Sequence, residues 1–230
     1  MTNCRVTANP NHFEFNPRST TLLMVDFQND FMRSGGFGEL LGNNAAKLQR
    51  AVQPARRVLE ACRKAGITVI HTREGHLPDL SDCPKRKLES LPKGKRIGDK
   101  GPMGRILVRG EKGHAIITEL APLKRELVID KPGKDAFYKT RLSVELKKRG
   151  ITHLIIAGVT TNVCVDTTVK AANDRGFHCL VLSDATAAYQ DKFHKAALDI
   201  IASQGGIFGK VTHSRHVLNA LLSKYSNSEK

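Results

Sequence analysis

Five short, almost continuous apolar runs alternate with stretches of helical periodicity, and this alternation constrains the fold more than any other feature. The runs cover residues 21–26, 67–72, 126–130, 154–157 and 178–182, and a short sixth run covers 207–211. Runs that are apolar at almost every position predict strands buried on both faces, as in a parallel sheet. Because such strands alternate with helices, right-handed βαβ units follow. We therefore predict an α/β fold with helices on both faces of a six-stranded parallel sheet.

Length and composition indicate one domain that spans residues 1–230, in which 40% of the residues are hydrophobic. No apolar run approaches the roughly 18 residues of a membrane span, and the N-terminus lacks the apolar core of a secretory leader. The five cysteines are scattered and include no CxxC pair, which favours free thiols in a reducing compartment. We therefore expect a cytoplasmic protein with no membrane partner. The polar residues 1–19 are expected to form an irregular arm that packs on a neighbouring subunit.

The formal net charge is +15, and much of it lies in one segment. From Lys85 to Lys112, ten basic residues face three acidic ones, together with five glycines and two prolines. We predict that residues 77–113 form a solvated basic loop insertion, of a length typical of a lid or a subunit contact. A basic chain raises the question of nucleic-acid binding, but aromatic residues make up only 5% and no stacking pattern is present. A basic surface is therefore preferred over a nucleic-acid site.

Residues 151–175 have the pattern of a strand, a sharp turn and a helix that carries a thiol near its start. Cys164 falls in the first turn of the helix predicted for 163–175. Free N–H groups and the helix dipole stabilise a thiolate at such a position, which predicts a lowered pKa for Cys164. The same N–H groups could hold an oxyanion. The alternative is that Cys164 is a buried small hydrophobic residue, the usual fate of a free cysteine.

Two further reactive side chains follow predicted strands, Asp26 after the first run and Lys131 after the third. Because the ligand crevice of an open α/β sheet lies beyond the carboxyl ends of its strands, both are expected to converge with Cys164. There the ammonium group would favour the ionised acid and thiol, and the carboxylate could take the thiol proton and return it to a leaving amine. Taken singly, Asp26 has the alternative role of a turn or capping residue. A lone lysine is usually solvated, the role that we expect for Lys134 and Lys139.

A second candidate cluster follows the second run. Glu74 and His76 stand close to Asp79 and Asp82. These residue types can bind a metal, but the spacing is weak evidence and no second well-placed histidine follows. A polar loop at the edge of the pocket is the preferred interpretation.

The segments around the three strand-end residues resemble the isochorismatase-like cysteine hydrolases. The resemblance covers residues 20–222 and rests on LLMVDFQNDF around Asp26, DKPGKDAFY around Lys131 and GVTTNVCVDTT around Cys164, in that order. It implies the catalytic Asp–Lys–Cys triad of that family at these three positions. It also implies the family's three-layer α/β/α, Rossmann-like fold.

The same resemblance carries implications for the neighbourhood of the cysteine and for assembly. Members of the family usually have a cis peptide bond before the turn that carries the cysteine, here between Val159 and Thr160. This bond would direct the N–H groups of Thr160 and Cys164 toward an oxyanion. Members usually form dimers or tetramers, so a homo-oligomer is expected. No cofactor is implied.

Within the family, the segments HTREGHLPDLSD, IGDKGPMGRILVRGE and SQGGIFG are most similar to biuret hydrolases and ureidoacrylate amidohydrolases. In biuret hydrolases a glutamine at the position of Gln204 binds the substrate carbonyl. Nicotinamidases of the same superfamily carry an Asp-x-His metal set, whereas this chain has Glu74-Gly75-His76 and no evident third ligand. True isochorismatases do not use a cysteine nucleophile, so Cys164 argues against that activity.

The sequence therefore predicts a metal-independent cysteine amidohydrolase that cleaves a C–N bond of a small ureido compound through a thioester. Biuret, which would yield urea-1-carboxylate and ammonia, is the first substrate; ureidoacrylate, triuret or another N-carbamoyl compound is the alternative. Phe31 is expected to wall the pocket, and Gln204 and Gln28 to bind urea-type groups. Arg73 or Lys139 could bind a substrate carboxylate. An alternative of another class is a catalytically idle binding protein that uses its basic surface.

Overall fold

The computed structural model describes residues 3–226 of the 230-residue chain, with side chains described as far as Ser223. The strands are β1 (Cys4–Val6), β2 (Phe13–Phe15), β3 (Thr20–Val25), β4 (Thr68–Glu74), β5 (Lys100–Gly101), β6 (Gly104–Arg105), β7 (Leu127–Lys131), β8 (His153–Val159), β9 (His178–Ala187) and β10 (Lys210–Thr212). The α-helices are α1 (Asn29–Met32), α2 (Phe37–Leu40), α3 (Val52–Lys64), α4 (Lys85–Leu88), α5 (Leu142–Lys148), α6 (Asp166–Asn173), α7 (Asp191–Gly206) and α8 (Ser214–Ser226). Within residues 3–226 no helix combines the length and the apolar character that a membrane crossing requires.

Six of these strands form one parallel sheet in the order β10-β9-β8-β3-β4-β7. From β3 the chain adds β4 and β7 on one side, and it then returns to add β8, β9 and β10 on the other. The predicted α/β fold with a six-stranded parallel sheet is therefore confirmed. In a sheet of this topology the crevice for a ligand lies where the strand order reverses, here between β3 and β8.

The two faces of the sheet are covered by different helices. On one face α3 and α8 pack in the same core as Leu22 and Met24 of β3, and on the other α5, α6 and α7 pack in the core of Leu23 and Val25. Successive side chains of a strand point to opposite faces, so a strand in the middle layer has to be apolar throughout. Burying each of these side chains contributes roughly 1.5–3 kcal/mol to folding. This double burial is the physical reason for the continuous apolar runs.

At the switch point β8 approaches β3 closely, and a glycine makes the approach possible. Gly158 has φ 152°, and a Cβ atom there would lie 2.4 Å from the Val25 carbonyl oxygen. Only glycine avoids that collision. The turn that carries Cys164 is thereby held directly beside the end of β3.

Two strands run further than the apolar runs predict. The run at 67–72 continues in β4 as far as Glu74, which pairs in register with Lys131 at the end of β7. The buried Gln28 side chain accepts a hydrogen bond from the Glu74 N–H at 2.6 Å and donates one to the Glu74 carbonyl oxygen at 2.9 Å. The strand therefore continues through two charged residues, and Glu74 lies at the carboxyl edge of the sheet. Similarly, β9 extends to Ala187 instead of ending at Leu182.

The N-terminal segment is ordered against its own chain, contrary to the expectation of an irregular arm. Strands β1 and β2 form an antiparallel hairpin, and Phe13 and Phe15 are buried in the core that α3 and α8 share. The Cys4 thiol donates to the Ala220 carbonyl oxygen in α8 at 3.9 Å. Residues 1 and 2 of the predicted arm lie outside the described residues.

The basic segment 77–113 is likewise built into the domain, and the prediction of a solvated loop holds for only part of its charged side chains, such as the exposed Lys85. It contains α4 and the β5–β6 hairpin, and Ile106, Leu107 and Val108 are buried. The His76 N–H donates to the Leu107 carbonyl oxygen at 2.8 Å, which ties the segment to the end of β4. The segment is therefore anchored next to the carboxyl edge of the sheet.

Candidate active site

The carboxyl edge of the sheet holds a buried cluster of opposite charges next to a thiol. Asp26 follows β3 directly, Lys131 ends β7, and Cys164 lies in the turn after β8. The Lys131 Nζ is 2.7 Å from the Asp26 Oδ2, and both side chains are fully buried. A carboxylate oxygen of Asp26 and the Cys164 Sγ lie within 4.8 Å of each other. The structure therefore brings the three side chains together, as their positions at strand ends predict.

Backbone and side-chain hydrogen bonds fix the geometry of the ion pair. Asp26 has φ 51°, and its Oδ1 accepts a hydrogen bond from the Thr72 hydroxyl at 2.7 Å. The Lys131 ammonium also donates to the carbonyl oxygens of Gly133 at 2.9 Å and Lys134 at 3.0 Å. A buried ion pair is favourable only when its remaining hydrogen-bonding positions are satisfied. These contacts satisfy the Asp26 Oδ1 and the Lys131 ammonium group, whereas the Asp26 Oδ2 has only its ion-pair contact with Lys131. The turn Pro132-Gly133 thus serves to complete the shell around the ammonium group.

Cys164 lies in a π-helical turn, Thr161–Val165, and not in the regular first turn of an α-helix as predicted. The N–H groups of Val163 and Val165 both donate to the Thr160 carbonyl oxygen, at 3.1 and 3.3 Å. The peptide bond between Val159 and Thr160 is cis, as the family resemblance implies. Thr160 and Cys164 line the same cavity. Their N–H groups as an oxyanion hole remain a prediction.

Glu74 is a fourth member of the cluster. The sequence analysis considered it only as a possible metal ligand and did not predict its contact with the thiol. Its Oε2 accepts a hydrogen bond from the Cys164 Sγ at 3.6 Å. Its Oε1 lies 2.6 Å from the Lys134 Nζ and 3.3 Å from the Lys87 Nζ. Burial alone would raise the pKa of Glu74, but Lys131, Lys134 and Lys87 outweigh it and hold the pKa at about 2. Glu74 is therefore an ionised, buried carboxylate directed at the thiol.

Glu74→Gln is expected to lower the free energy of unfolding in a pH-dependent way. Because the pKa of Glu74 is about 2 in the folded protein against an ordinary 4.5, its ionised form stabilises the fold above pH 4.5 by about 3 kcal/mol. That stability is lost as the pH falls toward 2. The difference in unfolding free energy between wild type and Glu74→Gln should therefore shrink below pH 4.5, measured by urea unfolding.

The exposed Glu89 supplies the control, and Glu89→Gln should leave the unfolding free energy almost unchanged at every pH. A Glu74→Gln difference that stays constant from about pH 7 to pH 3 would mean that the buried carboxylate is not ionised in the folded protein.

The thiol is protonated in the resting site, contrary to the prediction from its helix position. Burial raises the pKa of Cys164 well above its ordinary value. Lys131 acts in the opposite direction, but the carboxylates of Asp26 and Glu74 disfavour a third negative charge beside them. The lowered pKa predicted from the sequence is therefore wrong for this arrangement. A thiol of this kind becomes a nucleophile only when a neighbouring base takes its proton.

The two lysines nearest the thiol remain charged. Burial acts to lower the pKa of Lys131 and of Lys134, but the neighbouring anions raise both above the ordinary value. For Lys131 the main anion is Asp26, and for Lys134 it is Glu74. The cluster thus combines two charged ammonium groups with the buried carboxyl groups of Asp26 and Glu74.

The thiol faces a small cavity of about 120 Å³ between β8 and the α1–α2 region. Its apolar walls are formed by Phe31, Phe37, Leu41, Val159 and Val163. Its polar walls are formed by Glu74, Lys134, Thr160 and Tyr189. The position of Phe31 agrees with its prediction as a wall. Such a cavity, mostly apolar with a few convergent polar groups, suits a small substrate.

Tyr189 closes one side of this cavity and was not singled out in the sequence. Its hydroxyl donates to the Phe31 carbonyl oxygen at 3.1 Å. A Cβ atom on Gly38 would lie 2.0 Å from that hydroxyl, so glycine is required for the tyrosine to reach Phe31. No sequence pattern links these three distant residues.

Comparison with known proteins places this chain in a recognised family. A family model described as the isochorismatase domain matches residues 20–214. The chain belongs to the isochorismatase family. It is 32% identical to the ureidoacrylate amidohydrolase RutB of Yersinia enterocolitica over 198 residues, which are 84% of this chain and 86% of that protein. It is 31% identical to RutB of Serratia proteamaculans over 94% of this chain and 90% of that one.

Solved structures of the isochorismatase family share the fold. The cysteine hydrolase from Pseudomonas syringae pv. phaseolicola superposes with a TM-score of 0.78 at 28% identity, covering 97% of this chain and 99% of the other. The N-carbamoylsarcosine amidase from Thermoplasma acidophilum gives a TM-score of 0.64 at 25% identity, covering 85% and 96%. The prediction of a hydrolase that acts on carbon–nitrogen bonds is confirmed at this level, since the curated relatives are amidohydrolases.

Two residues that the sequence assigned to substrate binding have structural roles in this isochorismatase-family member. Gln28 is buried, and both ends of its amide are occupied by the Glu74 backbone and the His114 carbonyl oxygen. Arg73 makes a bidentate ion pair with Asp130, at 2.7 and 3.0 Å. Neither side chain lines the cavity. The polar groups of each are already paired with neighbouring strands and loops.

The structure also places the three other residues for which a role was predicted. Gln204 is exposed at the end of α7, which leads back to the amino edge of the sheet, so it does not line the cavity of its own chain. Lys139 is exposed, as expected of a solvated lysine, with its Nζ 5.6 Å from the Tyr138 ring centre. It does not line the cavity, which counts against its other predicted role of binding a substrate carboxylate. Lys134, expected to be solvated, instead lines the cavity and pairs with Glu74.

Within residues 3–226 one group of side chains could offer three ligands to a metal, and it belongs to the buried charged cluster. These are Asp26, Glu74 and Cys164, whose ligand atoms lie within 4.8 Å of one another. The ammonium groups of Lys131 and Lys134 already place positive charge against both carboxylates. They therefore neutralise the anions that a cation would need. Metal-independent catalysis remains a prediction that this charge arrangement favours.

A lysine also occupies the cluster around His76, which the sequence analysis considered as a possible metal site. The Lys87 Nζ lies 3.0 Å from the His76 Nε2 and 3.3 Å from the Glu74 Oε1. The other ring nitrogen, Nδ1, is 3.1 Å from Asp82. Burial lowers the pKa of His76, and Lys87 lowers it further, so the imidazole is neutral near pH 7. The ammonium group of Lys87 thus occupies the space between the two residues that were considered as metal ligands.

Proposed function

We propose that this protein is a cysteine amidohydrolase that releases ammonia from a small ureido acid, with ureidoacrylate as the leading substrate. The observation that carries the proposal is the buried thiol of Cys164, which faces a cavity of about 120 Å³ beside the Asp26–Lys131 ion pair. The names of the relatives support it, since ureidoacrylate and N-carbamoylsarcosine each combine a carbamoyl group with a carboxylate. The proposal therefore follows the alternative substrate of the sequence prediction.

In the first half-reaction Asp26 takes the proton of Cys164 as the sulfur attacks the carbamoyl carbon. The new C–S bond forms a tetrahedral intermediate, whose oxyanion the N–H groups of Thr160 and Cys164 can stabilise. Collapse of the intermediate breaks the C–N bond, and Asp26 returns the proton to the leaving nitrogen, so that ammonia departs. A thiocarbamate ester on Cys164 remains.

In the second half-reaction water replaces the thiolate. Asp26 takes a proton from the water as it attacks the ester carbon, and the C–S bond then breaks to regenerate the thiol. The product is an N-carboxylated amine. Lys131 keeps Asp26 oriented during both steps, since their 2.7 Å contact is buried. Glu74 orients the thiol through its 3.6 Å hydrogen bond.

Biuret remains a second candidate because three segments of the sequence resemble biuret hydrolases. However, the glutamine expected to bind its carbonyl, Gln204, is exposed at the other edge of the sheet in the same chain. The relatives at about 30% identity are ureidoacrylate amidohydrolases. These two observations rank ureidoacrylate above biuret.

Incubation of the purified protein with each compound tests the proposal through ammonia release. We expect kcat/KM for ureidoacrylate to exceed that for biuret by at least about tenfold, a difference of about 1.4 kcal/mol in transition-state binding. A reversed preference would return biuret to first place. If neither compound is hydrolysed and the protein binds nucleic acid in a salt-dependent way, the non-catalytic alternative is correct.

A further inference from the structure

Lys87 differs from the other lysines of the basic segment because its ammonium group points into the site. It lies on α4, and its side chain is 24% exposed, whereas that of Lys85 on the same helix is 86% exposed. Its Nζ donates to the Pro132 carbonyl oxygen at 2.7 Å and to the Glu74 Oε1 at 3.3 Å. The basic segment therefore places one ammonium group, that of Lys87, in the charged cluster.

This third lysine leaves the cluster with an excess of positive charge. The ammonium groups of Lys87, Lys131 and Lys134 face the two carboxylates of Asp26 and Glu74. Since the thiol is neutral at rest, the group carries one uncompensated positive charge. The nearby Asp82 and Arg109 pair with each other at 2.9 Å and do not change this balance.

The geometry also shows how that charge can reach a ligand. Lys87 and Lys134 share one oxygen of Glu74, the Oε1, while the Oε2 faces the thiol. Of these two lysines only Lys134 lines the cavity, and its side chain is 42% exposed. If Lys134 turns toward a ligand, Lys87 still neutralises Glu74. The carboxylate then stays ionised, and its hydrogen bond to Cys164 is kept.

We propose that Lys87 is a positioning residue that frees Lys134 to bind the carboxylate of the substrate, so that the site prefers anionic ureido acids to neutral ureas. The inference rests on the proposed function for the identity of the substrate. It assigns a role in selectivity to the basic segment, through one residue that does not touch the ligand.

Alkylation of Cys164 tests the preference without any turnover. Iodoacetate and iodoacetamide are similar in size, but only iodoacetate carries a carboxylate. Each forms a C–S bond with loss of iodide and of the thiol proton. The rate of each reaction at Cys164 is followed by mass spectrometry of the peptide that contains it. We expect Lys87→Met to lower the iodoacetate-to-iodoacetamide rate ratio by about 3- to 10-fold, because one positive charge within a few ångströms of Glu74 is removed.

Two further variants make the outcome decisive. Lys85→Met removes the exposed charge on the same helix and should leave the ratio unchanged, and Lys87→Arg keeps the charge and should restore most of it. If Lys87→Met leaves the rate ratio at its wild-type value, whether or not both reactions become slower, Lys87 has no role in charge selection. That result overturns the inference.

Steady-state kinetics separate this inference from the proposed function. In Lys87→Met, kcat/KM should fall more for ureidoacrylate than for biuret, mainly through KM. If the wild type hydrolyses neither compound, the proposed function fails, yet the alkylation ratio still decides the role of Lys87. If the wild type hydrolyses ureidoacrylate and Lys87→Met loses activity equally on both substrates, only the selectivity of Lys87 is refuted.

Discussion

Cys164→Ala is expected to reduce turnover of the ureido substrate by at least about four orders of magnitude while substrate binding is retained. The variant removes the atom that forms the covalent intermediate. The loss therefore concerns the whole nucleophilic pathway, which is far more than a single stabilising contact. Alanine fills almost the same space in a buried site, so folding should be little affected. Ammonia release measures the loss of turnover, and calorimetry measures the retained binding.

Cys62→Ala is the matched control, since Cys62 is a buried cysteine in the core on the other face of the sheet. Burial raises its pKa to about 12, and no charged group contributes to that shift. It should keep full turnover at a small cost in stability. Retention of substantial activity by Cys164→Ala would rule out covalent catalysis by this thiol.

Lys131→Met is expected to abolish turnover and to lower the free energy of unfolding by about 3–5 kcal/mol. The Lys131–Asp26 pair is fully buried, with 2.7 Å between Nζ and Oδ2. Removing the ammonium group leaves Asp26 buried without a compensating charge, and it also removes the largest cationic influence on Glu74. Urea unfolding at neutral pH measures the change.

A second substitution distinguishes lost charge compensation from lost packing. In Asp26→Asn/Lys131→Met the uncompensated carboxylate is gone, so part of the stability should return although turnover does not. Lys85→Met, at an exposed ion pair 3.9 Å long, should change stability by less than about 1 kcal/mol. If the double variant is less stable than Lys131→Met by the full cost of Asp26→Asn alone, the two side chains do not interact as the structure indicates.

The location of the site could be predicted from the sequence because it depends on topology. Asp26, Lys131 and Cys164 each follow an apolar run, and the carboxyl ends of parallel strands meet at one edge of the sheet. Their convergence therefore needs only the alternation of strands and helices. The same pattern predicted Phe31 near that edge, shortly after β3.

The partners of those residues could not be predicted, because they depend on where each element ends and how loops fold back. Glu74 reaches the thiol only because β4 continues beyond its apolar run, and a shift of one residue would turn its side chain to the other face. Lys87 was one of ten basic residues in its segment. Nothing local distinguishes it from Lys85, which the structure leaves in solvent.

By itself the sequence determined the fold class, the strand ends whose side chains converge and the thiol predicted to be the nucleophile, since each is encoded in a short local pattern. Tertiary structure alone decided the protonation state of that thiol. A helix start and a nearby lysine predict a lowered pKa, but the folded chain buries the thiol between Asp26 and Glu74, and the pKa rises. The sign of such a shift depends on desolvation and on every charge within a few ångströms, and these distances exist only once the distant segments have packed together.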